Sequence, residues 1–184
     1  MAILYIFDFD DTLVDSDAEI RIRHADGELS TMTSEEYAKY SEQPGDEFDF
    51  SDFDSYPKNP EIIEPVFAEL RSAIATQGSE NVVILTARSN PVPVRSFFDA
   101  NNIGSVEIVT VGTSDPSAKA LYILGRVKNE NHEEVVVFED NVRNIRRIRK
   151  VLTDEGIRLQ TNRVVNGRIV DIRSESRRRR GSRK

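Results

Sequence analysis

The stretch ILYIFDFDDTLV, residues 3–14, decides how the rest of the chain is interpreted. Its first five residues are apolar and rich in β-branched and aromatic side chains, in a length typical of a buried strand. The apolar run stops at Asp8, and Asp10 and Asp11 follow closely. Ligands of open parallel α/β sheets bind beyond the carboxyl ends of the strands. We therefore expect these carboxylates to point into a crevice, with Asp8 and Asp10 on one face of the extended chain.

Two carboxylates at this spacing repel each other, by roughly 4 kcal/mol at 4 Å and an effective dielectric near 20. Such a pair requires a cation, a shared proton or solvent. The sequence Asp8-Phe-Asp10-Asp-Thr12 resembles the first motif of the haloacid dehalogenase (HAD) superfamily, DxDx[TV], which also follows a hydrophobic strand. The resemblance implies that Asp8 is the nucleophile, that Asp10 is the general acid and base, and that Thr12 orients Asp10. An acidic turn that caps a strand is the alternative interpretation of this motif alone.

Length and composition exclude several classes of protein. A chain of 184 residues fits one domain with an insertion and can bury a substantial core. Because cysteine is absent, disulfides, thiolate metal sites and cysteine nucleophiles are excluded, which fits a reducing cytoplasm. No apolar run approaches the roughly 20 residues of a membrane span, and residues 1–14 lack the features of a signal peptide. We therefore expect a cytoplasmic protein without a membrane partner.

The net charge of −7 is distributed unevenly along the chain. Residues 1–60 carry a net charge of −12 and residues 61–142 carry −6, whereas residues 143–184 carry +11. The last eight residues, Arg177 to Lys184, include six basic side chains. Such a segment is disordered by composition and has the electrostatic character of a nucleic-acid contact. A solubilising tail, or one that folds onto the acidic half, is the alternative.

Strand and helix patterns alternate from residue 59 onwards, where Asn59 before Pro60 is a predicted helix cap. Apolar strand patterns at residues 82–85, 106–111 and 134–138 alternate with helical patterns at residues 61–76, 93–101, 117–128 and 142–154. This alternation predicts an α/β fold, a Rossmann-like parallel sheet with helices on both faces. Residues 158–164 and 167–172 then predict a hairpin around Asn166-Gly167.

Residues 16–58 do not follow this alternation and are predicted to be an insertion. We expect a hairpin around Asp26-Gly27, a short helix capped by Thr33 with Glu36, and a segment whose phenylalanines at 48, 50 and 53 pack inward. HAD proteins carry a flap or cap at this place, after the first strand. The predicted organisation is therefore a core of residues 1–15 and 59–173, a flap or cap of residues 16–58, and a basic, disordered tail of residues 174–184.

The second apolar strand ends in Thr86-Ala87-Arg88. This sequence is similar to the second HAD motif, in which a threonine or serine hydroxyl and a backbone N–H hold a phosphoryl oxygen. A guanidinium matches phosphate through paired hydrogen bonds, so Arg88 is a predicted phosphate contact. The sequence TAR also resembles the corresponding position in phosphatases that act on nucleic-acid ends. A strand cap at Thr86 and a surface arginine at Arg88 are the alternative interpretations.

The fourth apolar strand ends in Glu139-Asp140, similar to the last HAD motif, where two adjacent acids complete a magnesium site. The resemblance implies Mg²⁺ bound by Asp8, by the backbone carbonyl of Asp10 and by Asp140, an oxygen shell that suits this cation. Glu139 is implied as an outer partner of a water or of a lysine. The family often has Asp at this position, which leaves open whether Asp140 or Glu139 contacts the metal.

The family places a lysine between these motifs, where it neutralises the nucleophile and the phosphate. Lys119, at the start of a predicted helix, is the preferred candidate, and Lys128 in the same helix is the alternative. The resemblance as a whole therefore implies a Mg²⁺-dependent phosphomonoester hydrolase that works through an aspartyl-phosphate. A nucleic-acid 3′ end is the first expected substrate, as in the phosphatase half of polynucleotide kinase-phosphatases. A nucleotide or small metabolite is the second, and a non-catalytic nucleic-acid-binding protein on a HAD scaffold is the third hypothesis.

Overall fold

The computed structural model describes residues 2–175. Within this range the chain forms eleven strands: β1 (Ile3–Phe7), β2 (Val14–Asp15), β3 (Ile20–Arg23), β4 (Leu29–Met32), β5 (Glu47–Asp49), β6 (Glu61–Ile62), β7 (Val82–Thr86), β8 (Glu107–Thr110), β9 (Glu134–Glu139), β10 (Arg158–Val165) and β11 (Arg168–Glu175). It also forms five α-helices: α1 (Ser34–Lys39), α2 (Glu64–Gln77), α3 (Val92–Ala100), α4 (Pro116–Glu130) and α5 (Val142–Asp154). None of the helices in the described part of the chain is both long and apolar enough to cross a bilayer.

Six strands form the central sheet, in the order β11-β10-β9-β1-β7-β8. Five of them are parallel, and only β11 at the edge runs antiparallel to its neighbour β10. Counted along the chain, the parallel strands have the spatial order 3-2-1-4-5, which is that of a Rossmann-like sheet. The order reverses between β1 and β9. Ligand crevices of open α/β sheets lie at such a switch point.

Helices cover both faces of the sheet, as the alternation of strands and helices predicted. One face of β1, β7 and β9 packs against α2 and α3, and its core contains Phe7, Phe67 and Phe98. The other face packs against α4 and α5 through Leu4, Ile123 and a further set of aliphatic side chains. The strands are buried on both sides, which explains why their sequences are continuous apolar runs rather than alternating ones.

The register of the sheet brings the ends of three strands to the same level. Phe7 at the end of β1 is paired with Phe138 of β9 on one side and with Ile84 of β7 on the other. The rings of Phe7 and Phe138 also stack, with centroids 4.7 Å apart. The residues that follow these positions, including Asp8 and Glu139, are therefore held together at the carboxyl rim of the sheet.

The insertion has a small sheet of its own. β2 pairs antiparallel with β6 where the chain leaves and re-enters the core, and β3 lies between β4 and β5 in a three-stranded antiparallel sheet. The hairpin predicted around Asp26-Gly27 is confirmed. The capping box of Thr33 and Glu36 is also confirmed, since each side chain accepts a hydrogen bond from the other residue's backbone N–H.

Three local predictions differ from the structure. The helix predicted from residue 61 begins at Glu64, because Glu61–Ile62 pairs with β2 instead. Asn59 adopts a φ of 44° and donates a side-chain hydrogen bond to Asp17, so it is not a helix cap. Phe50, predicted to pack inward, is 39% exposed.

The predicted tail of residues 174–184 begins inside an element of structure. β11 continues to Glu175 and pairs with β10, so the first two residues of that segment belong to the sheet. The hairpin predicted around Asn166-Gly167 is thereby confirmed but is longer than expected. Residues 176–184, which include the basic run Arg177 to Lys184, lie outside the described residues.

Candidate functional site

Asp8 lies directly beyond β1 and is almost completely buried. Its backbone N–H donates to the carbonyl of Phe138 at 3.0 Å, which fixes the residue against β9. Its Oδ1 oxygen accepts from the backbone N–H of Phe9 at 2.8 Å and is 2.8 Å from Nζ of Lys119. Both N–H donors contact Oδ1, so Oδ2 is the oxygen without an N–H donor among the described residues. This oxygen is the one available for chemistry.

Lys119 is the side chain that joins the two neighbouring strand ends. It lies in the first turns of α4, is 3% exposed, and donates to Oε2 of Glu139 at 2.9 Å while it contacts Asp8. Lys128, the alternative candidate, is instead an exposed side chain paired with Glu155 at 2.8 Å. The predicted position of the lysine beside the nucleophile candidate is therefore filled by Lys119.

Asp8, Glu139 and Asp140 each offer a carboxylate oxygen within 4.8 Å of the others, a grouping that can hold a metal ion. Glu139 is already bound on both oxygens, since Lys119 contacts Oε2 and the side-chain amide of Asn144 donates to Oε1 at 3.0 Å. Within residues 2–175, the carboxylate of Asp140 has fewer contacts and accepts one hydrogen bond, from the Thr12 hydroxyl at 3.3 Å. Asp8 and Asp140 are thus better placed as direct metal ligands than Glu139, because both carboxylate oxygens of Glu139 already accept hydrogen bonds.

We refer to Asp8, Lys119, Glu139 and Asp140 as the rim cluster. When its acids are ionised, three carboxylates stand against one ammonium, which leaves two negative charges without a protein partner inside the cluster. A divalent cation would restore neutrality. Oxygen ligands of this kind are those that hard cations such as Mg²⁺ take in proteins.

The pKa values of the rim cluster reflect this excess of acids. Burial and the Glu139 carboxylate raise the pKa of Asp8 to about 7, against the opposing effect of Lys119. Burial, together with Glu139 and Asp8, also raises the pKa of Asp140 well above its usual value. Burial alone would lower the pKa of Lys119, but the two adjacent carboxylates raise it, so the side chain is an ammonium at neutral pH.

Glu139 is the exception among the acids of the rim cluster. Burial acts to raise its pKa, but the contacts with Lys119 and Asn144 outweigh burial and lower it. Glu139 therefore carries a negative charge that is matched by Lys119. The charges of Asp8 and Asp140 are the ones that the protein leaves unbalanced.

Asp10 forms a separate pair with Arg88. Arg88 donates from Nε and from Nη2 to the two oxygens of Asp10, at 2.9 and 2.7 Å. Its Nη1 donates to the backbone carbonyls of Phe53 and Ser55 in the insertion, at 2.8 and 2.9 Å. Arg88 is buried, and four hydrogen bonds occupy its guanidinium. The free guanidinium predicted for phosphate binding is therefore not presented in this arrangement, because Arg88 connects the insertion to Asp10.

Thr86 lines the cleft, whereas Thr12 is buried below it. Oγ1 of Thr86 lies at the end of β7 and accepts from the backbone N–H of Arg88 at 3.2 Å, which leaves the hydroxyl hydrogen for an acceptor in the cleft. The prediction that Thr12 orients Asp10 is wrong, because the Thr12 hydroxyl donates to Asp140 instead. Asp11 has a φ of 58°, so the chain turns after Asp10 and directs Thr12 back toward β9.

The predicted residues line one cleft of about 410 Å³ between the sheet and the insertion. They are Asp8, Asp10, Thr86, Ala87, Arg88, Lys119, Glu139 and Asp140. Thr12 is fully buried beneath them and does not line the described cleft. The insertion provides the opposite wall with three aromatic side chains, Tyr37, Phe50 and Phe53, which we call the aromatic wall.

Two features of the cleft were missed in the sequence. Asn144, which holds Glu139, lies on the stripe of α5 that also carries Ile148, and a polar residue on a buried helical stripe is a signal that a partner must exist. The aromatic wall had no comparable signal. Phe50 and Phe53 were expected to pack inward within the insertion, no role was predicted for Tyr37, and only the folded structure brings the three rings to the cleft.

Comparison of the chain with protein-family models, with curated proteins and with solved structures finds no significant match. The family resemblance of Asp8-Phe-Asp10-Asp-Thr12 therefore stays a prediction made from motifs. What speaks for a function is the set of contacts and charges in the cleft, above all the convergence of Asp8, Lys119 and Asp140 at the switch point of the sheet.

Proposed function

We propose that the chain is a divalent-metal-dependent phosphomonoester hydrolase of the HAD type, in which the insertion serves as a flap over the cleft. The observation that carries the proposal is the unbalanced charge of the rim cluster. A lysine and a group of acids close enough together to hold a metal ion surround the Asp8 carboxylate, whose Oδ2 oxygen is contacted by no N–H donor among the described residues. Phosphoryl transfer needs positioning and charge neutralisation above all. The cluster offers both at a single carboxylate.

Asp8 acts as the nucleophile in this proposal. Its Oδ2 attacks phosphorus in line, forming an acyl-phosphate bond while the ester P–O bond breaks and its electron pair goes to the leaving oxygen. Lys119 holds Oδ1 and keeps the carboxylate oriented throughout the step. Thr86 donates its hydroxyl hydrogen to a phosphoryl oxygen. In the second step, water attacks phosphorus, the acyl-phosphate P–O bond breaks, and Asp8 is regenerated with inorganic phosphate as the product.

Asp10 is the general acid and base in this proposal, although Arg88 donates hydrogen bonds to both of its carboxylate oxygens. To protonate the leaving oxygen and then take a proton from the attacking water, Asp10 must release at least one of these hydrogen bonds. Arg88 is also bound to the carbonyls of Phe53 and Ser55, so a movement of the insertion changes the restraint on Asp10. Arg88 is thus a positioning residue for the acid and base.

Asp8 and Asp140 would hold the metal ion, with the backbone carbonyl of Asp10 as the third protein ligand that the resemblance implies. The carboxylate of Asp10 is taken by Arg88, which is consistent with a role for its carbonyl rather than its side chain. Glu139 would stay bound to Lys119 behind the ligands. A bound Mg²⁺ supplies charge neutralisation and polarises the phosphoryl group.

Two substrate classes remain candidates. A nucleic-acid 3′ end is supported only locally, by the exposed Arg143 at the start of α5, which lines with Lys39 and Arg163 an adjoining cavity of about 260 Å³ that five acids also line. The cleft itself favours a smaller ester, such as a nucleotide, because its two basic side chains, Arg88 and Lys119, are already paired. No other described side chain of that cleft is basic.

The test is a panel of p-nitrophenyl phosphate, nucleoside monophosphates and a 3′-phosphorylated oligonucleotide, each with Mg²⁺ and with a chelator. We expect metal-dependent release of phosphate, and a loss of at least about 10⁴-fold in turnover for Asp8→Asn. Asp99→Asn, an exposed acid on α3, is the control and should keep full activity. Activity that survives in Asp8→Asn would exclude this residue as nucleophile. No turnover of any ester, together with oligonucleotide binding, would favour the non-catalytic alternative.

A further inference from the structure

The aromatic wall, together with Ile20 and Ala87, forms the apolar part of a cleft whose other described lining residues are charged, polar or glycine. The acids of the cleft include Asp54 and Asp115 in addition to the rim cluster, whereas the residue Phe50 is 39% exposed. Water covers this ring at a free-energy cost, so its position in a reaction cleft needs an explanation. A flat apolar group of the substrate would cover it.

The ring of Phe50 is packed against two other aromatic rings of the insertion. Tyr37 packs edge-on against it with ring centroids 5.4 Å apart, and Phe48 stacks beside it at 6.1 Å. Tyr37 is itself fixed, since its hydroxyl donates to Glu42 at 3.1 Å and lies 3.4 Å from the hydroxyl of Ser114 across the cleft. A ring that is already ordered loses little conformational entropy when a ligand stacks on it.

The charges around the aromatic wall indicate which kind of ligand group can bind there. Additional phosphates are disfavoured near Phe50, because Asp54 and Asp115 line the same cleft and the basic side chains there are already paired. A neutral, planar ring is favoured instead, since every nucleobase presents a π-face and stacking on an aromatic side chain is tolerant of base identity. Ser89 and Thr113 also line the cleft. The Ser89 hydroxyl donates to Asp54 at 2.6 Å and keeps its oxygen as an acceptor. Thr113 Oγ1 accepts from the backbone N–H of Asp115 at 3.2 Å and keeps its hydrogen as a donor for a polar edge of such a ring.

We infer that Phe50, supported by Tyr37, stacks on the nucleobase adjacent to the phosphate that is removed, so that the substrate is a nucleoside monophosphate or a terminal nucleotide. This inference rests on the proposed hydrolase function, which supplies the phosphoryl site in the same cleft. It assigns the choice of substrate to the insertion and the chemistry to the rim of the sheet.

The experiment compares kcat/KM for a nucleoside monophosphate with kcat/KM for ribose phosphate, which lacks the base. The wild-type protein should prefer the nucleotide. Phe50→Ala should lower kcat/KM for the nucleotide by about tenfold to a hundredfold, mainly through KM, and that for ribose phosphate by no more than about twofold. Phe50→Trp should restore the preference. Tyr56→Ala is the matched control, since Tyr56 is an aromatic of the same insertion, is 44% exposed and lies outside the cleft.

Equal losses on both substrates in Phe50→Ala, or a similar loss in Tyr56→Ala, would overturn the inference. A separate measurement distinguishes this failure from a failure of the proposed hydrolysis. Calorimetric binding of the nucleoside monophosphate to Asp8→Asn should weaken when Phe50→Ala is added, whether or not the protein turns the ligand over. If no ester is hydrolysed but this dependence on Phe50 is found, the stacking surface stands and the proposed reaction does not. If binding does not depend on Phe50, the stacking surface is wrong.

Discussion

Asp8 and Asp140 of the rim cluster lie in electrostatic surroundings opposite to those of two acids of the insertion, Asp46 and Asp52. In the insertion, Asp52 is bound by Lys58 and Arg21 at 2.7 and 2.8 Å and accepts from the backbone N–H of Glu19. Hydrogen bonds from Lys58 and Arg21 lower its pKa to about 2, although burial opposes the shift. At the rim, burial and like charges raise the pKa values of Asp8 and Asp140.

Asp46, a second acid of the insertion, also has a pKa that is lowered by hydrogen-bond donors. Asp46 accepts from the backbone N–H of Gln43 and from the hydroxyl of Tyr40, which lower its pKa, and it contacts His24 at 2.9 Å. These contacts tie α1 and the strands of the insertion together. The difference teaches that Asp46 and Asp52 stabilise the fold when ionised, whereas the ionised forms of Asp8 and Asp140 are disfavoured by their surroundings. We take the purpose of Asp8 and Asp140 to be a bound cation and a reaction.

The pair of Asp10 and Arg88 is the place where the two regions meet, and breaking it should have the largest effect on stability. Arg88→Ala should lower the free energy of unfolding by about 3 kcal/mol, because a buried partner of Asp10 and a donor to two backbone carbonyls are both lost. Denaturant unfolding measures this change. Arg88→Lys keeps the charge but cannot make four contacts, so its loss should be smaller. A loss below about 1 kcal/mol in Arg88→Ala would mean that the pair does not connect the regions.

Asp52→Asn should lower the free energy of unfolding by roughly 1–2 kcal/mol at neutral pH, since Lys58 and Arg21 are about half exposed and solvent screens their contacts. The folded pKa of Asp52 lies below its ordinary value of 3.8. Its ionised form therefore contributes stability above about pH 4, and this contribution is lost as the pH falls from about 4 to about 2. Unfolding of both proteins between pH 7 and pH 3 should show the difference shrinking below pH 4.

The same substitution at the rim is the matched control for that result. Asp8→Asn, measured without metal at neutral pH, should leave the free energy of unfolding unchanged or raise it, because a carboxylate with a raised pKa is penalised when ionised. Asn retains an oxygen for the N–H donors of Phe9 and Lys119. If Asp8→Asn destabilised the metal-free protein as much as Asp52→Asn, the contrast between the two regions would be wrong.

Much of the fold follows from local patterns in the sequence. The apolar runs of β1, β7 and β9 and the helical stripes of α3 and α5 predicted a parallel sheet with two covered faces, and the structure has that sheet. The meeting of Asp8, Lys119 and Asp140 was also predicted, because acids at the ends of parallel strands share one rim. Strand ends are decided by short stretches of chain, and these are what a sequence shows best.

Contacts between distant segments could not be predicted in the same way. Arg88 binds the carbonyls of Phe53 and Ser55, and carbonyl positions depend on how the insertion folds back over the sheet. The hydroxyl of Thr12 reaches Asp140 across 128 residues because of a turn at Asp11. The helix α2 begins three residues later than predicted, because Glu61 and Ile62 pair with β2 instead. In each case tertiary packing overrode a reasonable local expectation.

The most direct test of the central claim is the effect of Mg²⁺ on the free energy of unfolding of the wild-type protein and of Asp140→Asn. At about 100 times the dissociation constant, Mg²⁺ should stabilise the wild-type protein by roughly 2.7 kcal/mol, because the ion binds only where folding brings Asp8 and Asp140 together. At the same concentration, Asp140→Asn should be stabilised far less. If saturating Mg²⁺ left the wild-type protein unchanged, or stabilised both proteins equally, no cation site would exist at the rim of the sheet.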